Sequence, residues 1–326
     1  MRVRRLAGAT VLALLLASPA AAESPPVKPA KPPAKAPAKP GKPPKGPPAA
    51  APALVPEPVQ PWSCLDFRAE QLMFKGTTRI CAKKTRAEEM REWLPASDPK
   101  EPPLPQPAPG ARLMKMTVKA DLAGRLTEEE VYFEPESGRT LQRTRVKLGS
   151  DPYRKSYRFG EAGLDWTRSA PRSREETERA EPAWSKIENH SAPYPAGSLC
   201  KVYSEPVLLL YLLAAHDWNS GKNLEFCMFA GKKWNRIEAI SQGMRAFPAR
   251  YEKNGQPGQA SEARAIVLKA GKASPEEDED PFELMGLRGD LLIFLDPQSG
   301  LPLAIQGEMP WLGQVTVRLE KAETPG

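Results

Sequence analysis

The prolines decide first what this chain can fold into. The sequence has 326 residues and 38 prolines, and 14 of those fall within residues 23–60. Proline lacks the amide donor that helices and ladders need, and it holds φ near the polyproline value. The tract ESPPVKPAKPPAKAPAKPGKPPKGPPAAAPALVPEPVQ has almost no bulky apolar group to bury, so nothing offsets the entropy of ordering it. It reads as a disordered Pro/Lys/Ala-rich linker. Extended at about 3.1 Å per residue, it would reach on the order of 120 Å. Two roles are open to it: a spacer or basic tether reaching through a wall mesh of anionic polymer, or a tail with no partner. Residues 95–110 are again Pro-rich and read as a second linker or a long surface loop. The folded part must come from residues 61–94 and 111–326.

Charge divides at the same boundary. The formal net charge is +7, but residues 1–22 contribute Arg2, Arg4 and Arg5, and residues 23–60 contribute six lysines against Glu23 and Glu57. Residues 61–326 then hold 38 basic and 38 acidic side chains and are neutral as a whole. A nucleic-acid-binding domain needs a net positive footprint of its own, so no nucleic-acid partner is expected. No stretch after residue 22 offers about 18 consecutive apolar residues, so the chain is not expected to be integral to a membrane through helices.

The first 22 residues have the three-part layout of a secretory signal peptide. A short basic start, Met1 to Arg5, precedes the apolar run LAGATVLALLLA, and small residues close it at Ala20-Ala21-Ala22. Cleavage is expected after Ala22, which makes the mature protein periplasmic or secreted. The apolar core of about 12 residues is too short to cross roughly 30 Å of hydrocarbon as a helix. In an oxidising compartment, the even set Cys64, Cys81, Cys200 and Cys227 favours disulfides. Of the three pairings, Cys64–Cys81 and Cys200–Cys227 close the short loops. In the chain-entropy model, loops of about 17 and 27 residues stabilise by roughly 3 and 3.5 kcal/mol. No C-x-x-C is present and the histidines are His190 and His216 alone, so neither a metal nor a cofactor is expected.

The remainder alternates with a period of two. In Leu113–Ala120, Met114, Met116, Val118 and Ala120 face one way, and Lys115, Thr117 and Lys119 the other. Strands of this kind are expected at 131–133, 141–148, 153–159, 164–167, 224–229, 234–240, 264–269, 291–295, 301–305 and 314–320. Turn signals such as Pro135-Glu136-Ser137-Gly138 and Asp296-Pro297-Gln298-Ser299-Gly300 lie between them. Residues 168–198, charged and aperiodic, read as a surface excursion. One strong helix is expected over 205–217 (EPVLLLYLLAAHD), capped by Ser204 and apolar on nearly all sides, hence buried against the sheet. The fold class that follows is mainly β. It is an antiparallel curved sheet or half-barrel packed on one apolar helix, behind a disordered N-terminal tail. Residues 61–94 read as a small disulfide-stapled appendage, with a helical turn or two over 86–93, and 111–326 as the globular domain.

No catalytic motif emerges. His216-Asp217 lacks a nucleophile in a recognisable setting and reads as a helix end; there is no G-x-S-x-G. Glu276 to Asp280 lacks the spacing of a dedicated calcium loop. Asn189-His190-Ser191 fits a glycosylation sequon. The basic residues Arg143, Arg145, Lys147, Arg154 and Arg158, together with Arg139 and Lys155, lie on adjacent expected strands and suggest a face for an anionic ligand. Met114, Met116, Tyr157, Phe159 and Trp166 are candidates to line an apolar cavity, or else to fill a core.

Several stretches resemble a bacterial exported family described as domain of unknown function 3108. These are Glu205 to Tyr211, Gly221-Lys222, Gly231-Lys232-Lys233, and the closing DPQSGLPLAIQGEMPWLGQVTVRLEKA. In the last, Leu301-Pro302-Leu303 and Gly313-Gln314-Val315 are similar to the family's "LP-x-x-I…GEI-x-x-G-x-V-x-x-x-L" strand pair. The resemblance implies an envelope protein with a curved sheet holding a helix, similar to the lipoprotein-carrier half-barrels, and no family active site. The expected function is a non-catalytic envelope protein binding an apolar or amphiphilic, lipid-like molecule in the concavity. Alternatives are a structural or interaction module tethered by the Pro/Lys linker, its partner a cell-wall polymer or a protein, and an envelope hydrolase.

Overall fold

A computed structural model describes residues 60–325, apart from 72–73, 94–106, 108–110, 123–124, 179–183, 199, 201, 231–232, 275–281 and 311. The expected signal peptide, the Pro/Lys linker up to residue 59, most of the second Pro-rich stretch and the acidic run Glu276–Asp280 lie outside the described residues.

The described chain is mainly β, as the alternation requires. Two successive antiparallel meanders form one sheet, whose last edge strand, Tyr203–Ser204, pairs in parallel with its neighbour. The first contains β1 (Cys64–Gln71), β2 (Phe74–Thr85), β3 (Leu113–Leu122), β4 (Arg125–Phe133), β5 (Thr140–Lys147), β6 (Tyr153–Phe159), β7 (Gly163–Ala170) and β8 (Lys186–Pro193). The second contains β9 (Tyr203–Ser204), β10 (Leu224–Ala230), β11 (Lys233–Lys253), β12 (Gln256–Lys272), β13 (Arg288–Leu295), β14 (Pro302–Met309) and β15 (Gly313–Glu323). Pairing of β1 with β15 splices the two into a 15-stranded sheet ordered β8 to β1, then β15 down to β9. The tip of the β11–β12 hairpin also bends back, and Glu252 and Lys253 pair in parallel with Lys321 and Ala322 of β15.

This topology corrects three expectations. Residues 61–94 are no appendage. β1 lies mid-sheet between β15 and β2, and Cys64 sits directly opposite Cys81 in that ladder, so the first disulfide staples neighbouring strands. The excursion 168–198 contains β8, an edge strand with no buried residue on either face, so no one-sided apolar alternation marks it; its Ile187 is 62% exposed. The helix is shorter than 205–217. A 3-10 turn at Pro206–Leu208 leads into α3 (Leu209–Ala215), while Ser204 belongs to β9 and caps nothing, its hydroxyl buried without a partner. Two other short α-helices, α1 (Ala87–Trp93) and α2 (Arg174–Thr177), and a second 3-10 turn at Trp218–Ser220 complete the described helical segments.

The sheet curls around α3. Leu208, Leu209, Leu210, Tyr211 and Leu213 are all buried and join one core with residues of β1–β4 and β10–β15. Tyr211 packs edge-on against Trp62 and Phe133, at centroid distances of 5.8 and 5.2 Å. A second, aromatic cluster joins the two ends of the curled sheet. Phe159 and Leu164 meet Phe229 and Trp234, Tyr194 stacks on Tyr203 at 3.8 Å, and the Trp234 indole donates to the Pro193 carbonyl of β8. The Cys200–Cys227 disulfide closes the same seam by tying the segment after β8 to β10.

Candidate functional site

The concave face changes character along the first meander. Residues directly opposite one another in an antiparallel ladder point to the same side, so register reads as rows. One row runs Met116, Val131, Arg143, Tyr157, Trp166 and His190 across β3 to β8. The next runs Ile80, Val118, Glu129, Arg145, Lys155, Arg168 and Glu188 across β2 to β8. Up to β4 these rows are mostly aliphatic and pack on α3. From β5 onward they carry long charged heads and broad rings, which cannot interdigitate with a leucine-rich helix. A hollow of about 660 Å³ results. It is lined by Ile80, Val118, Val207, Leu210, Tyr157, Trp166 and Phe229, by Arg143, Arg145, Lys155 and Arg168, and by Glu129, Glu188 and Glu283.

A buried charge cluster forms its inner wall. Arg143 donates from Nη1 to Glu205 Oε2, and from Nη2 to Glu129 Oε2 at 2.7 Å, and its guanidinium lies over the Tyr157 ring at 5.2 Å. Arg145 reaches Glu129 Oε1 at 3.1 Å. Burial pushes Glu129 up, but Arg143 and Arg145 together outweigh it and hold its carboxyl below the usual range. Glu205 sits just before the 3-10 turn, fully buried, with Oε1 unpartnered. Burial pushes its carboxyl up to about 7, because Arg143 is shared with Glu129 and cannot satisfy both. Burial likewise pushes the Tyr157 hydroxyl up to about 12.

Farther out, Tyr153 gathers three cations. Its ring centroid is 5.8 Å from Lys147 Nζ, 5.2 Å from Lys155 Nζ and 5.5 Å from the Arg168 guanidinium carbon. Arg168 pairs with Glu188 at 3.4 Å, and the Trp166 ring stacks between Tyr157 and His190.

The expected anionic-ligand face is divided by this register. Arg143, Arg145 and Lys147 share the concave side, but Arg154 lies opposite Val146 and Arg158 opposite Gln142, on the other face. The set mixes odd and even positions of β6, and strand alternation sends those to opposite sides. Of the expected cavity residues, Tyr157 and Trp166 line the hollow and Met114 lines a smaller one of about 190 Å³ beside Tyr211. Met116 and Phe159 are core. Sequence reasoning passed over Glu129, Glu205, Arg168 and Glu188. The run Glu128-Glu129-Glu130 facing Arg143-Thr144-Arg145 across a turn was the available signal for the first; for Glu205, a carboxylate opening an apolar segment, there was none.

His216 bonds through Nε2 to the Lys222 carbonyl at 2.9 Å, and Asp217 accepts from the Asn219 amide, so both shape the end of α3. Among the described residues no group of three or more His, Cys, Asp or Glu side chains is placed to hold a metal ion, and no helix is long and apolar enough to cross a membrane. No protein-family model, curated protein or solved structure matches the chain.

Proposed function

We propose that this is an exported, non-catalytic envelope protein that binds an amphiphilic, lipid-like molecule in the hollow between the first meander and α3. The observation that carries the reading is the hollow itself. Its volume of about 660 Å³ lies within the roughly 300–1,000 Å³ range of small-molecule sites, and its wall is apolar on one side and charged on the other. Two disulfides suit an oxidising compartment, and the basic, apolar, small-residue order of residues 1–22 suits export. The likeness of the closing strand pair to an exported family supports the same location.

Native mass spectrometry of the protein purified from its own envelope tests this. The expected result is a co-purified amphiphile that is lost in Val207→Trp, a change that fills the hollow from the helix side. Repeated absence of any ligand from the unaltered protein counts against the reading.

A further inference from the structure

We infer that the ligand is a single-headed anionic amphiphile, bound with its carboxylate or phosphate on the row Arg145, Lys155 and Arg168 and its chain running inward past Val118, Val207 and Leu210. The inference rests on the reading of the hollow as an amphiphile site and adds charge, orientation and the residues that read the head group.

Four cations, Arg143, Arg145, Lys155 and Arg168, face three carboxylates, Glu129, Glu188 and Glu283, on the lining, with Glu205 buried behind it, and three of the cations are contiguous. Arg145, Lys155 and Arg168 occupy consecutive strands of one row, directly opposite one another. Neighbouring strands are about 4.8 Å apart, so the row spans roughly 10 Å, a reach that one anionic head group can bridge. The row lies at the open side. The side chains of Arg145 and Arg168 are 37% and 28% exposed, against 9% for Arg143 in the buried cluster. The carboxylates flanking the row each have a second cation, Arg143 for Glu129 and Lys186 for Glu188, so Arg145 and Arg168, which also pair with them, can be shared with an incoming anion. Glu283 is held by Arg288, at 2.7 Å. The aliphatic lining comes from Ile80 of β2, Val118 of β3, Val207 of the 3-10 turn and Leu210 of α3, with Leu284 and Met285 from the segment before β13. An anion buried deeper would meet Glu205 and Glu129, whereas an alkyl chain there meets leucine and valine. Polarity therefore fixes the direction of entry: tail inward, head at the rim.

The test uses three probes of equal chain length, dodecanoate, dodecyl phosphate and dodecyl maltoside, titrated calorimetrically below their micelle concentrations. Both anions are expected to bind about tenfold or more tightly than the maltoside, since charge-assisted hydrogen bonds carry the difference. Arg145→Gln with Arg168→Gln is expected to remove that preference. Arg154→Gln with Arg158→Gln changes the same charge on the opposite face and is expected to preserve it. The relative affinities of dodecanoate and dodecyl phosphate distinguish a fatty acid from a phosphorylated head group. Equal affinity for all three probes, or equal loss of preference in both double variants, overturns the inference but leaves the amphiphile site standing. Binding of none of the three overturns both. Melting temperatures of the variants, measured alongside, separate lost binding from lost folding.

Discussion

At the scale of single residues, the buried pair Glu129 and Glu205 sharing Arg143 is the feature with the clearest consequence. Glu205 has its carboxyl raised from the ordinary 4.5 to about 7, so its favourable contribution is complete below about pH 4.5 and is lost as the pH rises through 7. Glu129 is shifted the other way, and its contribution is lost as the pH falls into the acid range. Urea unfolding is therefore expected to show a maximum at weakly acidic pH and a decline toward pH 8 on the order of 3 kcal/mol. Glu205→Gln should flatten the decline, since the amide is a neutral stand-in for the protonated acid. An identical decline in the variant would show that Glu205 is not the titrating group. Arg143 and Arg145 were legible in the sequence as members of a basic face, but their carboxylate partners were not. Glu205 arrives from a different segment, 62 residues along the chain from Arg143, and only the curl of the sheet brings the two together.

At the scale of elements, the tight turns set the register. The turn between β13 and β14 follows the Asp296-Pro297-Gln298-Ser299-Gly300 signal. The Asp296 carboxylate accepts from the Gln298 and Ser299 amides, and Gly300 sits at φ +69 with a would-be Cβ 2.6 Å from the Ala214 carbonyl oxygen of α3. Gly300→Ala is strained in its backbone and collides with the helix. It is expected to cost about 1–3 kcal/mol in thermal or chemical unfolding, and a neutral effect would mean the turn does not dock on α3 as described. Most strands were visible in the period-two pattern, Tyr153–Phe159 to the residue. The failures have physical causes. β4 is longer than Val131–Phe133 because its polar half still pairs, although it buries little. β11 and β12 are far longer than their apolar centres, since the hairpin leaves the core and turns at Asn254-Gly255, both with positive φ. That Asn-Gly dipeptide is a strong hairpin signal in its own right. The helix was overextended because an apolar run cannot show where a 3-10 turn ends and an α-helix starts.

At the scale of the whole molecule, one sheet wraps one short helix, and the wrap is sealed by side chains rather than by a ladder. β8 and β9 are the two ends of the sheet order, and the aromatic cluster with the Cys200–Cys227 bond bridges them. Cys200→Ala with Cys227→Ala is expected to lose roughly 3.5 kcal/mol and to raise hydrogen exchange in β8 and β10 more than in β1 and β15. Uniform loss of protection would mean that the seam is no separate unit. The curved, helix-holding sheet was readable from alternation and the single apolar segment. The hollow was not, because it depends on which strands face the helix with aliphatic side chains and which with charged ones, and that needs the parity of every strand at once. The central claim is that the hollow beside α3 holds an amphiphile, and an experimental structure of the protein with dodecyl phosphate tests it most directly. The alkyl chain is expected between β2–β3 and Leu210 with its phosphate against Arg145 and Arg168. A hollow filled by collapsed side chains, or a ligand seated only on the outer face, would contradict it.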